Sequence, residues 1–252
     1  MGNFQFYYDF PSYTPTVPLG NPDPSYPVTN LSDYDHTRRK FCTSDTTHTI
    51  LTLSPSSLLT VKCLFLNDVN FAVANVAFVP SGSPSSYWLP YAVVQDIRVG
   101  RYKMLTPNNT SVQYVHLEIP AQTTTDGLPY FRIGSAIIAT SVLTFTDNPI
   151  YPYSFKADEN IVTVDMESGA FEDVNVGPRI WEGTFGFESL RENESQIWTL
   201  NSAIPKATNC IFHENCGDTS KAYLCRRRTP IQVTWNNAAM SSFESMTFRE
   251  VY

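Results

Sequence analysis

An antiparallel, mostly β chain is predicted by three features of these 252 residues. Charged residues make up only 16%, well below the quarter usual in soluble domains, so long solvated helix faces are in short supply. Aromatic residues reach 13% and stand among many Val, Ile and Thr, the side chains that fit a pleated, half-buried surface. The 18 prolines, with frequent Ser and Asn, cut the chain at short intervals, which suits strands and turns and breaks helices. A chain of this length fits two compact units and buries enough surface to fold without a structural metal or disulfide.

The first element, residues 1–29, carries Pro11, Pro15, Pro18, Pro22, Pro24 and Pro27 with Tyr7, Tyr8, Tyr13 and Tyr26 between them. Proline at that density opposes ladder pairing and helix propagation. The segment therefore reads as an extended arm, docked either on a neighbouring subunit or on its own domain. In residues 30–145, apolar runs at 49–53, 59–66, 71–79, 112–119 and 131–139 read as strands of an antiparallel sandwich. Ser54-Pro55-Ser56-Ser57, Thr106-Pro107-Asn108-Asn109 and Asp126-Gly127 punctuate them with turn chemistry. Leu64-Phe65-Leu66 and Ile137-Ile138 are apolar on consecutive positions, as in strands of a sandwich core. Pro149 and Pro152 follow a boundary near residue 145. In the second unit, 146–252, strands are expected over 160–166, 179–188, 207–212, 231–235 and 243–251, with breaks at Gly169, Gly177-Pro178 and Gly217. The single helix starts at a capping box, Ser189 as N-cap with Glu192 three residues on. Leu190, Ile197, Trp198 and Leu200 give it an apolar face, and Pro205 limits its far end.

The formal charge of −7 excludes nucleic acid as a general partner, because phosphate binding needs a basic face. Dense basic runs occur only at Arg38-Arg39-Lys40 and Arg226-Arg227-Arg228, and most of the acidity falls after Phe145. Five cysteines, an odd number, do not read as a secreted disulfide framework and point to a reducing compartment. The start of the chain lacks the basic and apolar regions of a signal peptide, and no run approaches the ~18 apolar residues of a membrane helix. A soluble protein without membrane insertion is the expectation.

Three strings in order bear on family. Tyr114-Val115-His116-Leu117-Glu118-Ile119 is followed by Asp126-Gly127 and then by Phe131-Arg132-Ile133-Gly134-Ser135-Ala136-Ile137-Ile138. A strand with Arg179 runs into Phe187, then come a Leu190-Arg191-Glu192 helix start and a last strand ending Phe248-Arg249-Glu250-Val251. This order resembles a family of tailed-bacteriophage distal tail proteins. The resemblance implies a discoidin-like, galactose-binding-type sandwich over 30–145 and a tail-ring domain over 146–252. It also implies a structural role at the tail tip or baseplate, in a virion protein made in the host cytoplasm. Its partners would be copies of itself in a threefold or sixfold ring, other baseplate proteins and host surface glycans. No cofactor and no enzymatic activity are implied. The alternative reading is a carbohydrate-binding module without a ring role.

Cys210-x2-His213-x2-Cys216, followed by Cys225, offers four metal-type ligands. Tetrahedral zinc sites use paired short spacings, and Cys225 stands alone, so the expectation is buried thiols acting as small hydrophobes and no metal. Asp158-Glu159, Glu172-Asp173 and Glu192-x-Glu194 read as solvated charges. No nucleophile elbow, zinc helix or phosphate loop occurs. Arg226 to Arg228 are expected to pair with acidic surface on a neighbouring subunit. Tyr87, Trp88 and Tyr91 sit in a Pro- and Ser-rich loop and form the candidate sugar platform, where an aromatic face lies on a pyranose. They could equally plug the end of their own core. Trp88→Ala separates the two: loss of glycan binding with a stability change under about 0.5 kcal/mol marks a platform. A loss of about 3–5 kcal/mol on chemical denaturation marks a plug.

Overall fold

β-Branched and aromatic runs of four to eight residues bounded by turn formers give strands, and strands dominate the computed structural model. It describes residues 4–33, 40–80, 102–107, 109–145, 154–165, 171–187, 194–214, 222–230, 233–237 and 240–251. The fold is mostly antiparallel sheet with one α-helix, as the composition predicts. Two compact units are present, Met1–Leu143 with His213–Ala222 and Thr144–Phe212 with Tyr223–Tyr252. The sequence placed all of 146–252 in the second unit. His213 is grouped with the first, its Nδ1 3.3 Å from Gln5 Oε1 and its ring beside Tyr7.

The first unit contains β1 (Gln5–Tyr8), β2 (Tyr13–Leu19), β3 (Phe41–Cys42), β4 (Thr49–Pro55), β5 (Leu59–Val61), β6 (Cys63–Asn67), β7 (Asn75–Pro80), β8 (Tyr102–Leu105), β9 (Asn109–Ile119), β10 (Arg132–Ile133), β11 (Ser135–Ala139) and β12 (Ser141–Thr144). Strands β2, β4, β9 and β5 form one sheet in that order, with β7 also on β9, and β11, β6 and β8 form another. Leu51, Leu53, Val76, Val115 and Leu117 from the first sheet share one buried core with Leu64, Leu66, Ala136 and Ile138 from the second. This is a sandwich, two inner faces enclosing a dry layer.

The expected strand 59–66 is two strands, because the chain leaves one sheet and joins the other at Lys62, whose N–H donates to Ala139 O at 2.8 Å. The expected strand 131–139 likewise divides at Gly134. Its N–H donates to Asn67 O at 2.8 Å, and a Cβ at this position would stand 2.9 Å from Asp68 Cβ. Only glycine admits that approach. The expected strand 71–79 begins at Asn75 instead, since Phe71 turns inward to meet Phe131 edge-on, 6.1 Å between centroids.

Within the expected arm, residues Tyr13–Leu19 form strand β2 on this chain's own sheet. Strand β2 pairs antiparallel with β4, Tyr13 opposite Pro55 through Thr16 opposite Thr52. Proline is tolerated there because β2 is the end strand of its sheet among the described residues, and the missing N–H can face outward. Pro18 lies in the one-residue register shift between Thr16 and Leu19, a bulge that needs no ladder bond.

The second unit contains β13 (Ser154–Asp165), β14 (Phe171–Phe187), α1 (Glu194–Ala203), β15 (Asn209–His213), β16 (Ala222–Arg227), β17 (Val233–Asn237) and β18 (Met240–Glu250). Its sheet runs β15-β16-β18-β14-β13, with β17 also on β18. Gly177-Pro178 does not end a strand: β14 continues through it, and a register shift beside Asn160 absorbs the misfit. The capping box at Ser189 and Glu192 lies outside the described residues. Helix α1 buries Ile197 and Leu200 completely, with Ile204 just beyond its end, while Trp198 is 48% exposed. One residue along a helix is a 100° turn, which takes Trp198 off the face expected to hold it. Phe212 and Phe248 stack inside the sheet, 6.4 Å between centroids.

Tyr13 tests the placement of the N-terminal segment. Its hydroxyl is buried, donates to Leu31 O at 2.9 Å and contacts Ala136 O. Tyr13→Phe leaves buried carbonyls without that donor and should lower stability by about 1–3 kcal/mol, read as a shift in the denaturation midpoint. A detached arm would show no shift.

Candidate functional site

Tyr87, Trp88 and Tyr91, the expected platform, lie outside the described residues, as does Cys216. The chain enters that loop from Pro80, at the end of β7. The other three members of the cysteine cluster do not converge. Cys210 and Cys225 stand on neighbouring strands with Sγ atoms 3.7 Å apart, both fully buried. His213 is three positions after Cys210 on β15, and odd spacings along a strand point to opposite faces. Burial, reinforced by the adjacent Cys210 thiol, pushes the Cys225 thiol well above its ordinary value.

Strand β9 instead assembles a polar and aromatic surface. Val115, Leu117 and Ile119 point into the core, so the alternation of a strand turns Tyr114, His116 and Glu118 to the outer face. On the flanking strands, Thr52 of β4 and Ala77 of β7 stand opposite His116, and Asn75 of β7 stands opposite Glu118. The rings of Tyr114 and His116 lie 6.1 Å apart with planes inclined by 21°, a stacked pair. Thr52 Oγ1 meets His116 Nδ1 at 2.8 Å. The carboxylate of Glu118 is clamped: Oε1 lies 2.8 Å from His48 Nε2, and Oε2 accepts from Asn75 Nδ2 at 3.0 Å. Partial burial holds the His116 imidazole below its ordinary pKa, so the ring is neutral at neutral pH. The result is a stacked ring pair beside an oriented carboxylate and amide, all half-exposed on a rigid sheet.

A charged cluster braces the loops at the Glu118 end of this sheet. Arg132 spans Asp68 at 3.1 Å and Asp126 at 3.2 Å. Asn70 donates to Asp126 Oδ1 at 3.1 Å and accepts from Arg132 N–H at 2.7 Å. Asp68 has φ 47, a left-handed conformation that Asp tolerates, and Gly127 at φ 75 completes the expected Asp126-Gly127 turn. Gln122 seals the neighbouring loop, its Oε1 accepting from Ala72 and Val73 N–H. With both carboxylates engaged by one guanidinium, this cluster is a brace.

Reasoning from sequence missed His48, Thr52, Asn75 and Glu118 as a group, since polar residues at alternate strand positions read as an ordinary solvated face. The signal available was Tyr114-x-His116-x-Glu118, an aromatic, an imidazole and a carboxylate on one face of one strand. Titration tests the environment of His116. Its folded pKa lies below 6.5, the value taken as ordinary, so the unfolded chain takes up the proton first as pH falls. The stability it contributes is present above about pH 6.5 and is lost as pH falls through the folded value. Denaturation midpoints should decline less steeply below about pH 6.5 in His116→Gln than in the parent, and the His116 NMR midpoint should lie on the acid side.

No protein-family model matches the sequence, and a search of curated proteins finds no match. Solved structures show partial likeness. CpGH89CBM32-4 produced by Clostridium perfringens, in complex with GlcNAc-alpha-1,4-galactose, aligns at TM-score 0.41 and 12% identity over 52% of this chain and 94% of that one. Reduced XRCC1 bound to the DNA polymerase β catalytic domain aligns at TM-score 0.41 and 11% identity, over 54% and 99%. A fucolectin from Morone saxatilis (striped bass) serum aligns at TM-score 0.38 and 9% identity, over 97% and 94%. At these scores the likeness adds nothing about ligands, and nothing in it shows a phage tail or baseplate role.

Proposed function

We propose that the chain is a non-catalytic carbohydrate-binding protein whose first unit takes a neutral sugar on the outer face of β9. The observation that carries this reading is the stacked Tyr114–His116 pair beside the clamped Glu118 carboxylate. An aromatic surface next to oriented acceptors and donors is what a pyranose requires, its C–H face on the rings and its hydroxyls on the polar groups. Glu118, held between His48 and Asn75, can accept a sugar hydroxyl without reorganising, and neutral His116 adds no charge to repel or attract. Glycoside cleavage calls for two carboxyl groups flanking the bond, and Glu118 is the single carboxylate on this face among the described residues. In the tail-tip setting implied by the sequence resemblance, such a face would serve attachment to host glycans. That setting rests on the resemblance alone.

A glycan array with the full chain tests the reading. The parent should give selective signals, and Glu118→Gln should weaken them by about tenfold or more, the loss of one hydrogen bond to a charged group. Tyr114→Ala should do the same through stacking. Both side chains are part-exposed, so melting temperatures should move little. An array with no signal for the parent would overturn the proposal.

A further inference from the structure

The second unit holds a cavity of about 400 Å³, and five of its eight lining residues are cationic. Lys206, Arg226, Arg227, Arg228 and Arg249 line it, against one carboxylate, Glu250. The concentration is anomalous in a chain of net charge −7. Arg226 on β16 stands directly opposite Arg249 on β18, and Glu182 of β14 stands opposite Arg249 from the other side. Arg226 is oriented by Asn209, whose Oδ1 accepts from its Nε. Arg227 is 4% exposed, Nη1 donating to Asn201 Oδ1 at 3.0 Å, and its buried Nε has no hydrogen-bond partner. Arg227 alternates with Arg226 along β16, so its guanidinium turns to the other face of the sheet, on the side of its cross-strand partner Phe248.

From the cavity and the cationic residues Lys206, Arg226, Arg228 and Arg249 that line it, we infer an oxyanion site that takes a small ligand carrying a phosphate or sulfate group. Guanidinium forks match tetrahedral oxyanions in geometry and charge. The volume lies within the range of small-molecule sites and admits one compact anionic group with a modest body. A nucleic-acid backbone needs a continuous basic track, which a cavity of this size does not offer. The sequence assigned Arg226 to Arg228 to acidic surface on another subunit. Arg226 and Arg228 instead line a concave site with Lys206 and Arg249, which favours a small anion. This site lies in the second unit and does not depend on sugar binding at β9.

Thermal melts and calorimetry of the full chain, titrated with inorganic phosphate, sodium sulfate and glucose 6-phosphate, test the inference. Ionic strength is held constant with sodium chloride. Saturable stabilisation beyond the chloride control is expected. Phosphate and sulfate arms show which oxyanion is preferred, and the sugar phosphate shows whether the cavity accepts a body behind it. Arg249→Gln should weaken anion binding by about tenfold. Arg228→Gln, at an exposed position, keeps the test valid if the first variant misfolds and should weaken binding in the same direction. No stabilisation by any of the three anions beyond chloride, or an undiminished response in both variants, overturns the inference. Glycan-array results leave it unaffected in either direction.

Discussion

Two main-chain N–H groups, those of Lys62 and Gly134, carry the architecture of the first unit. Each belongs to a residue where the chain leaves one sheet partner for another, and each would be a lost ladder donor at that corner. Lys62 donates to Ala139 O, and Gly134 donates to Asn67 O. These acceptors are the last residues of β11 and β6, which pair from Ser135 opposite Asn67 to Ala139 opposite Cys63. The pair is thus closed at both ends by the crossings themselves. Because side chains alternate, a slip of one residue would turn Leu64, Leu66, Ala136 and Ile138 out of the core together. The brace of Arg132, Asp68, Asp126 and Asn70 sits immediately beside the Gly134 crossing, so the loops around the sheet face inherit the same register.

The fold class was readable because it rests on bulk properties: few charges, many β-formers, regular punctuation. Strand existence was readable wherever apolar residues run together. Strand identity was not, since Leu59 to Leu66 is one apolar run in sequence and two strands in different sheets. Nothing local to Lys62 announces the crossing, which depends on a carbonyl nearly eighty positions away. Residues 1–29 misled for a related reason. Proline density excludes an interior strand, but an end strand tolerates it, and position in a sheet is a tertiary fact. Strand β16 went unforeseen because Cys225 and the arginines drew attention as chemistry when their spacing is that of a strand.

The same distinction governs the candidate sites. Cys210 and Cys225 are neighbours because β15 lies beside β16, and the contact is one of packing between small, buried side chains. A metal knuckle needs ligands that converge from one turn, whereas this strand sends His213 the other way. On β9 the reverse holds: Tyr114, His116 and Glu118 are close in sequence and share a face, and the flanking strands then supply Thr52, Asn75 and His48 by register. Function-bearing polar groups of a sheet are distributed over strands far apart in sequence, so half of such a constellation is visible locally and half is not. In the second unit the cross-strand arginine pair is invisible until β16 and β18 are aligned.

The prolines of β2 also bear on how the molecule behaves in crowded solution. An end strand presents a row of unpaired main-chain groups, which is a template for another chain to extend the sheet. Pro15 interrupts that row of donors, and the bulge containing Pro18 bends the strand away from the flat geometry that a docking strand needs. A sheet whose interior strands are as apolar as β4 and β9 would be hazardous with a plain edge. Built this way, the edge strand itself guards the sheet against runaway extension by a second chain.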